Sequence, residues 1–132
     1  MIHGIGHDVL ELERMKDILE GRHSKRFLAR ILTAAESETA SSRAGQRQLE
    51  FIAGRFAAKE AISKAFGCGI GAVLAFTDME ILPDASGKPV ARLNEAAWKR
   101  LGLAGATEYS IHISITHERQ LVSAFAIVEA KS

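Results

Sequence analysis

Two carboxylates and two lysines stand in apolar company in this chain. Asp8 falls in the run GIGHDVLEL near the start, and Lys59, Glu60 and Lys64 fall in RFAAKEAISKAFGCGIG, residues 55–71. A bare carboxylate among apolar residues is costly unless a cation or hydrogen-bond donors meet it. Asp8 and Glu60 together suit one magnesium ion, which prefers one or two carboxylates, several waters and phosphate oxygens, better than zinc or calcium. Arg55, Lys59 and Lys64 on the same helix then read as a surface that meets phosphate. A plainer reading stands beside this one. Glu60 and Lys64, spaced i to i+4 with the acid first, also suit a solvated pair worth about 0.2–0.5 kcal/mol, and a strand aspartate is often a cap or turn residue.

Other chemistry has little support. GIGHDV lacks the third glycine of a dinucleotide fingerprint, no P-loop consensus occurs, and GCGIG is equally a helix C-cap followed by a turn. No serine lies in a nucleophile elbow and Cys68 has no paired base, so nucleophilic catalysis by the protein is not expected. His3, His7 and His23 show no metal-ligand spacing. His112 shares a strand face with Ser114 and Thr116, whereas His117, at the strand end, is freer to reach a ligand.

Several elements must position these groups. Residues 2–12 read as a strand that passes into a helix near Glu13. Thr33 with Glu36 reads as a capping box opening a helix to about Ala40, followed by a loop from Ser41 to Arg47. At about 100° per residue the long helix, 47–66, is apolar almost all round, so it should be buried on more than one face. It stops at Gly67, with Gly69 and Gly71 beyond. Asp78–Leu82 is a short strand, Asp84–Pro89 a turn, and Asn94 caps a helix to about Leu101. The alternation of YSIHISITHERQLVSAFAIVE gives two strands joined through His117–Gln120. One strand, helices and a closing hairpin predict an α+β fold: an antiparallel sheet, a long central helix and a C-terminal hairpin.

At 132 residues the chain is expected to form one domain, residues 1–132. The net charge is +1, but residues 14–30 carry Arg14, Lys16, Arg22, Lys25, Arg26 and Arg30 against Asp17 and Glu20, six minus two, or +4. Such a patch attracts acidic partners or is a solvated helix face. Aromatic residues make up only 6% and no nucleic-acid motif is present, so nucleic acid is not an expected partner. A single cysteine excludes an intrachain disulfide and favours a reducing compartment. No run of 18 apolar residues and no signal-peptide pattern occurs, so the expectation is a soluble cytoplasmic protein with no membrane partner.

The blocks GIGHDVLELERM, ILTAAE, GRFAAKEAISKAFGCGIG, GKPVARL and HISITHERQLVSAFAIVE, in that order, resemble the bacterial holo-[acyl-carrier-protein] synthases, the short phosphopantetheinyl transferases. The resemblance spans nearly the whole chain and implies the 4′-phosphopantetheinyl transferase fold. It implies transfer of 4′-phosphopantetheine from coenzyme A to a serine of apo-acyl carrier protein, with adenosine 3′,5′-bisphosphate leaving. Asp8 and Glu60 match the family's magnesium ligands, and Lys64 its phosphate-contacting lysine. Glu60, acting through water, is the first choice to take the serine proton. Arg55, Gly67, Gly69 and His117 look like further nucleotide contacts. Arg14, with Arg22, Lys25 and Arg26, resembles the surface on which the family docks its acidic carrier. A homotrimer with its site between neighbours is likewise implied. Cys68 stands where relatives often have threonine, and Thr116 where serine is usual. Two alternatives follow from the residues alone: a magnesium-dependent nucleotide phosphohydrolase, and a non-catalytic module that binds acidic partners.

Overall fold

The computed structural model describes residues 1–131. Strand β1, Ile2–Glu11, runs into helix α1, Leu12–Glu20. Helices α2, Ser24–Ile31, α3, Ala34–Ser41, and α4, Gly45–Ala65, follow. A single 3-10 turn, Phe76–Asp78, leads to β2, Met79–Pro83, and β3, Pro89–Leu93. Helix α5, Glu95–Leu101, then precedes the hairpin of β4, Tyr109–His117, and β5, Leu121–Ala130. The α+β expectation holds, with antiparallel pairing throughout and two sheets, β1-β5-β4 and β2-β3.

Most sequence signals formed as read. Thr33 and Glu36 close the capping box of α3, and the Asn94 side chain accepts from the Ala97 amide to open α5. Three points differ. Helix α4 begins at Gly45, inside the expected loop. Gly21 ends α1, so the basic stretch is two helices. Pro89–Leu93, which opens on a proline, is a strand, because Asp84 Oδ1 accepts from Ser86 and Lys88 and tightens the turn that returns the chain alongside β2.

Helix α4 is buried on several sides, as an apolar-all-round helix must be. One side lies on the three-stranded sheet, where Leu10, Val122, Ala124, Ala126 and Val128 meet Ala57, Ala58, Ala61 and Ala65. Another side carries Phe56, whose ring stacks near Phe27 and Phe76 at 6.0 and 5.2 Å. Strand β1 lies unusually close to the helix. A Cβ added to Gly4 would fall 1.8 Å from the Ala65 carbonyl oxygen, and one added to Gly6 1.8 Å from that of Ala61. Only glycine permits this approach. The opposite face of the sheet leaves Ile5, Val9 and Phe125 exposed, at 62%, 52% and 49%.

Candidate active site

Pleating sets the direction of Asp8. Gly4, Gly6 and Leu10 face α4, so Asp8 faces it as well, on the sheet edge opposite β4. Lys64, in the last turn of α4, donates from Nζ to Asp8 Oδ1 and to the His7 carbonyl, both at 3.1 Å. Lys64 therefore does not pair with Glu60, and the solvated i to i+4 pair is corrected: the lysine reaches across to the strand that the glycines hold against its helix. Glu60, half-buried one turn earlier, has no hydrogen-bond donor on its carboxylate among the described residues. Burial pushes its pKa up, Asp8 adds to the rise, and Lys64 and Arg30 oppose it. Two neighbouring acids of which one resists ionisation are a site that a cation would relieve. No group of three or more His, Cys, Asp or Glu that could hold a metal occurs among the described residues. Two carboxylates and no more is the donor set of a magnesium site completed by water and phosphate, and the residues present fit that ion.

The raised Glu60 pKa has a stability consequence. The folded state holds this proton more tightly than the unfolded chain, so stability falls as pH rises from the ordinary value of 4.5 through the folded-state value. Glu60→Gln is expected to raise the melting temperature at pH 7 and to lose that gain in acid below about pH 4. Thermal melts of both proteins across that range check it; a gain independent of pH contradicts the assignment.

Gly67 and Gly69, with φ of 80° and 66°, turn the chain off the end of α4. Their amides are committed: Gly67 N donates to Lys64 O at 2.9 Å, and Cys68 N and Gly69 N to Ser63 O at 3.2 and 3.3 Å. These glycines shape the turn and have open space where a Cβ would stand, while their amides are not free for a ligand. Arg100 anchors the far end of the loop, donating to Val73 O at 2.9 Å and to Asp78 Oδ2 at 2.6 Å.

Arg55 and His117 lie elsewhere, in a cleft of about 290 Å³ that Arg43, Arg47 and Glu50 also line. Three arginines and a histidine against one acid make a site for an anion. The Arg55 guanidinium is buried, stacks 4.1 Å from the Phe51 ring centroid and donates from Nε to Ile81 O at 3.1 Å. Burial lowers its pKa to about 10, with Glu36 opposing the fall. Arg55 and Lys64 are nine residues apart on α4, which is roughly 13.5 Å along the axis and half a turn around it. The helix itself separates the cleft from the carboxylates, and the three-stranded sheet repeats the separation, with Asp8 and His117 on its two outer strands.

Lys59 does not face phosphate. It is wholly buried, and Nζ donates to Glu36 Oε1 at 2.6 Å and to Ile31 O at 2.7 Å. Arg14, Arg22, Lys25 and Arg26 are all exposed along α1, the turn after it and α2. Arg30 extends this basic surface to the carboxylates, close enough to act on Glu60.

The sequence model of the 4′-phosphopantetheinyl transferase superfamily matches residues 4–124, which include Asp8, Glu60, Lys64 and His117. The chain belongs to this superfamily. Among transferases of the superfamily, a holo-[acyl-carrier-protein] synthase from Bacillus cytotoxicus is 44% identical over 100% of this chain and 99% of its own length. A holo-(acyl-carrier-protein) synthase crystal structure from Bacillus anthracis, in complex with CoA (3′,5′-ADP), aligns with TM-score 0.82 at 40% identity, covering 99% of each chain. The holo-[acyl-carrier-protein] synthase structure from Neisseria meningitidis gives TM-score 0.86 at 33% identity, covering 98% of this chain and 99% of that one. Within this transferase, sequence reasoning missed Arg43, Arg47 and Glu50 as neighbours of Arg55 and His117. They stand 12, 8 and 5 residues before Arg55, with Arg43 and Arg47 one helical turn apart, and that spacing was the available signal.

Proposed function

We propose that this protein is a holo-[acyl-carrier-protein] synthase. It transfers 4′-phosphopantetheine from coenzyme A to a serine of apo-acyl carrier protein and releases adenosine 3′,5′-bisphosphate. The observation that carries the reading is the paired Asp8 and Glu60 beside Lys64, at the border of an exposed basic surface. The serine Oγ–P bond forms at the pantetheine-bearing phosphorus, and the bond from that phosphorus to the oxygen bridging the two phosphates breaks. Lys64 contacts the phosphates, its charge already placed by Asp8 and the His7 carbonyl. Glu60, whose raised pKa makes it a better base than an ordinary carboxylate, takes the serine proton through water. Asp8 and Glu60 would hold magnesium, which when bound neutralises charge on the pyrophosphate. Arg14, Arg22, Lys25 and Arg26 receive the acidic carrier, and Arg30 continues that field to the reacting serine.

The nucleotide end belongs in the arginine cleft. Arg55 and His117, with Arg43 and Arg47, suit the 3′-phosphate, while Gly67 and Gly69 leave room for the chain of phosphates. Because α4 stands between cleft and carboxylates, one coenzyme A uses the carboxylates of one copy and the cleft of its neighbour. This reading requires an oligomer, a homotrimer joined through the exposed sheet face of Ile5, Val9 and Phe125. Phe125→Glu is expected to yield monomers in sedimentation and to abolish transfer; an intact trimer from that variant refutes this placement of the interface. Residues 1–132 form one domain in this reading. No helix is long and apolar enough to cross a membrane, and an exposed free Cys68 fits a reducing cytoplasm.

Intact mass of an apo-acyl carrier protein, measured after incubation with this protein, coenzyme A and magnesium, tests the function. A gain of about 340 Da, one phosphopantetheine, is expected. Asp8→Ala and Glu60→Ala should each slow it by about 10²–10³-fold, and EDTA should stop it. Release of the nucleotide without a carrier would make the protein a phosphohydrolase.

A further inference from the structure

One charged group in the interior has no part in the chemistry described so far. Glu36 is fully buried, yet three donors converge on its two oxygens. Lys59 Nζ and the Thr33 amide reach Oε1 at 2.6 and 2.8 Å, and the Ile81 amide reaches Oε2 at 2.7 Å. The same Ile81 residue presents its carbonyl to Arg55 Nε at 3.1 Å. A chain of contacts therefore runs from the Lys59–Glu36 ion pair through one residue of β2 to the guanidinium that floors the arginine cleft. Nε is the only side-chain atom of Arg55 with a hydrogen bond to the described residues, which leaves its two terminal nitrogens for a ligand. Among those residues, Phe51 beneath the guanidinium is the other group that fixes its plane.

The charge balance fits the same role. Lys59 and Arg55 are both buried cations, and Glu36 is the only buried acid among the described residues. Its charge is matched by Lys59 in direct contact, so the cleft sets Arg55, Arg43, Arg47 and His117 against Glu50 alone. An anion there completes the balance.

We infer that Glu36 is a positioning residue for Arg55, holding Ile81 by its N–H so that the carbonyl of the same residue sets the guanidinium to meet the 3′-phosphate of the donor nucleotide. The inference rests on the assignment of that phosphate to the cleft. Glutamine at position 36 keeps the side chain's size but removes the charge that Lys59 relies on, so the role is read from Arg55 itself and not from stability. An amide offers one acceptor oxygen, and Lys59 with the Thr33 amide claims it, so the amide nitrogen of the side chain is turned against the Ile81 N–H. Ile81 must move, and Arg55 with it.

Two measurements on Glu36→Gln test this, with Ile62→Val as a core variant that loses stability without touching the network. The first is the Arg55 Nε–H signal in proton–nitrogen NMR spectra, assigned by its disappearance in Arg55→Gln. It should shift and exchange faster with water in Glu36→Gln and stay unchanged in Ile62→Val. The second is kinetics with coenzyme A and with 3′-dephospho-coenzyme A as donors. KM for coenzyme A should rise about tenfold with kcat within twofold, and KM for the dephospho donor should not move. Arg55→Gln should show the same pattern, and the double variant should add little to it. An unchanged Nε–H signal in Glu36→Gln, or equal changes in Ile62→Val, overturns the positioning role. A shifted signal with parallel changes for both donors, in Arg55→Gln also, upholds the link from Glu36 to Arg55 and overturns the 3′-phosphate as its purpose.

Discussion

A single methyl group at position 6 is expected to cost this protein most of its stability. The Cβ of Gly6→Ala would lie 1.8 Å from the Ala61 carbonyl oxygen and 2.8 Å from the Ala65 amide nitrogen. Both are backbone atoms of a helix that is itself wedged between sheet and α2, so neither can swing aside as a side chain would. The strand must lift off the helix by more than 1 Å, by roughly the amount that restores an ordinary contact near 3.5 Å, and the close packing of interior alanines around it is lost. A loss of about 4 kcal/mol or more is expected, at the severe end for single substitutions. Urea unfolding checks the value. Gly71→Ala, with open space around the added carbon and an ordinary φ, should stay within about 0.5 kcal/mol of the parent. A Gly6→Ala protein as stable as the parent would mean that strand and helix do not lie as closely as described.

Lys59→Ala is expected to be nearly as damaging, by about 3–5 kcal/mol, because it leaves the Glu36 carboxylate buried without its cation. Burial already lowers the Lys59 pKa, with Glu36 resisting the fall, so each charge survives in the interior only through the other. Removing both charges together, in Glu36→Leu with Lys59→Met, is expected to recover much of the loss, since a pair replaced by apolar groups of similar volume is often close to neutral. Equilibrium unfolding of the single and double variants gives the coupling directly. Additive losses in the double variant would show that the pair does not act as a unit.

These two sites also mark how far the sequence could be read. The reach of β1, the capping box at Thr33, the Asn94 cap and the hairpin all rest on signals a few residues long, and each formed where local chemistry placed it. Asp8 and Glu60 were legible as costly acids in apolar surroundings. Lys59 was not separable from Lys64, because five positions on a helix with apolar residues on every side carry no mark of which side meets solvent and which meets Glu36. The partner of Lys64 was hidden for a related reason: Asp8 is 56 positions away, and only the two glycines that bring β1 onto α4 make it nearer than Glu60. Family resemblance supplied Arg55 and His117 as nucleotide contacts, but nothing in their spacing told that a helix would stand between them and the carboxylates. Strand β3 was missed because its five residues begin on a proline and lean on β2 for definition.

The contact of Gly4 and Gly6 with α4 also bears on motion. Strand and helix touch main chain to main chain, so they fluctuate as one body, and the amide hydrogens of Ala61–Ala65 should exchange only when the whole molecule opens. Asp8 lies two residues beyond that contact, so the same packing limits how far it can move relative to Glu60. Immediately after α4 the chain changes character: Gly67–Val73 is mostly exposed, turns on two left-handed glycines, and is tied to Lys64 and Ser63 at its near end and to Arg100 at its far end. Acids held on packed main chain beside an exposed loop suit a site that must keep its geometry during the reaction and still let a bulky product leave.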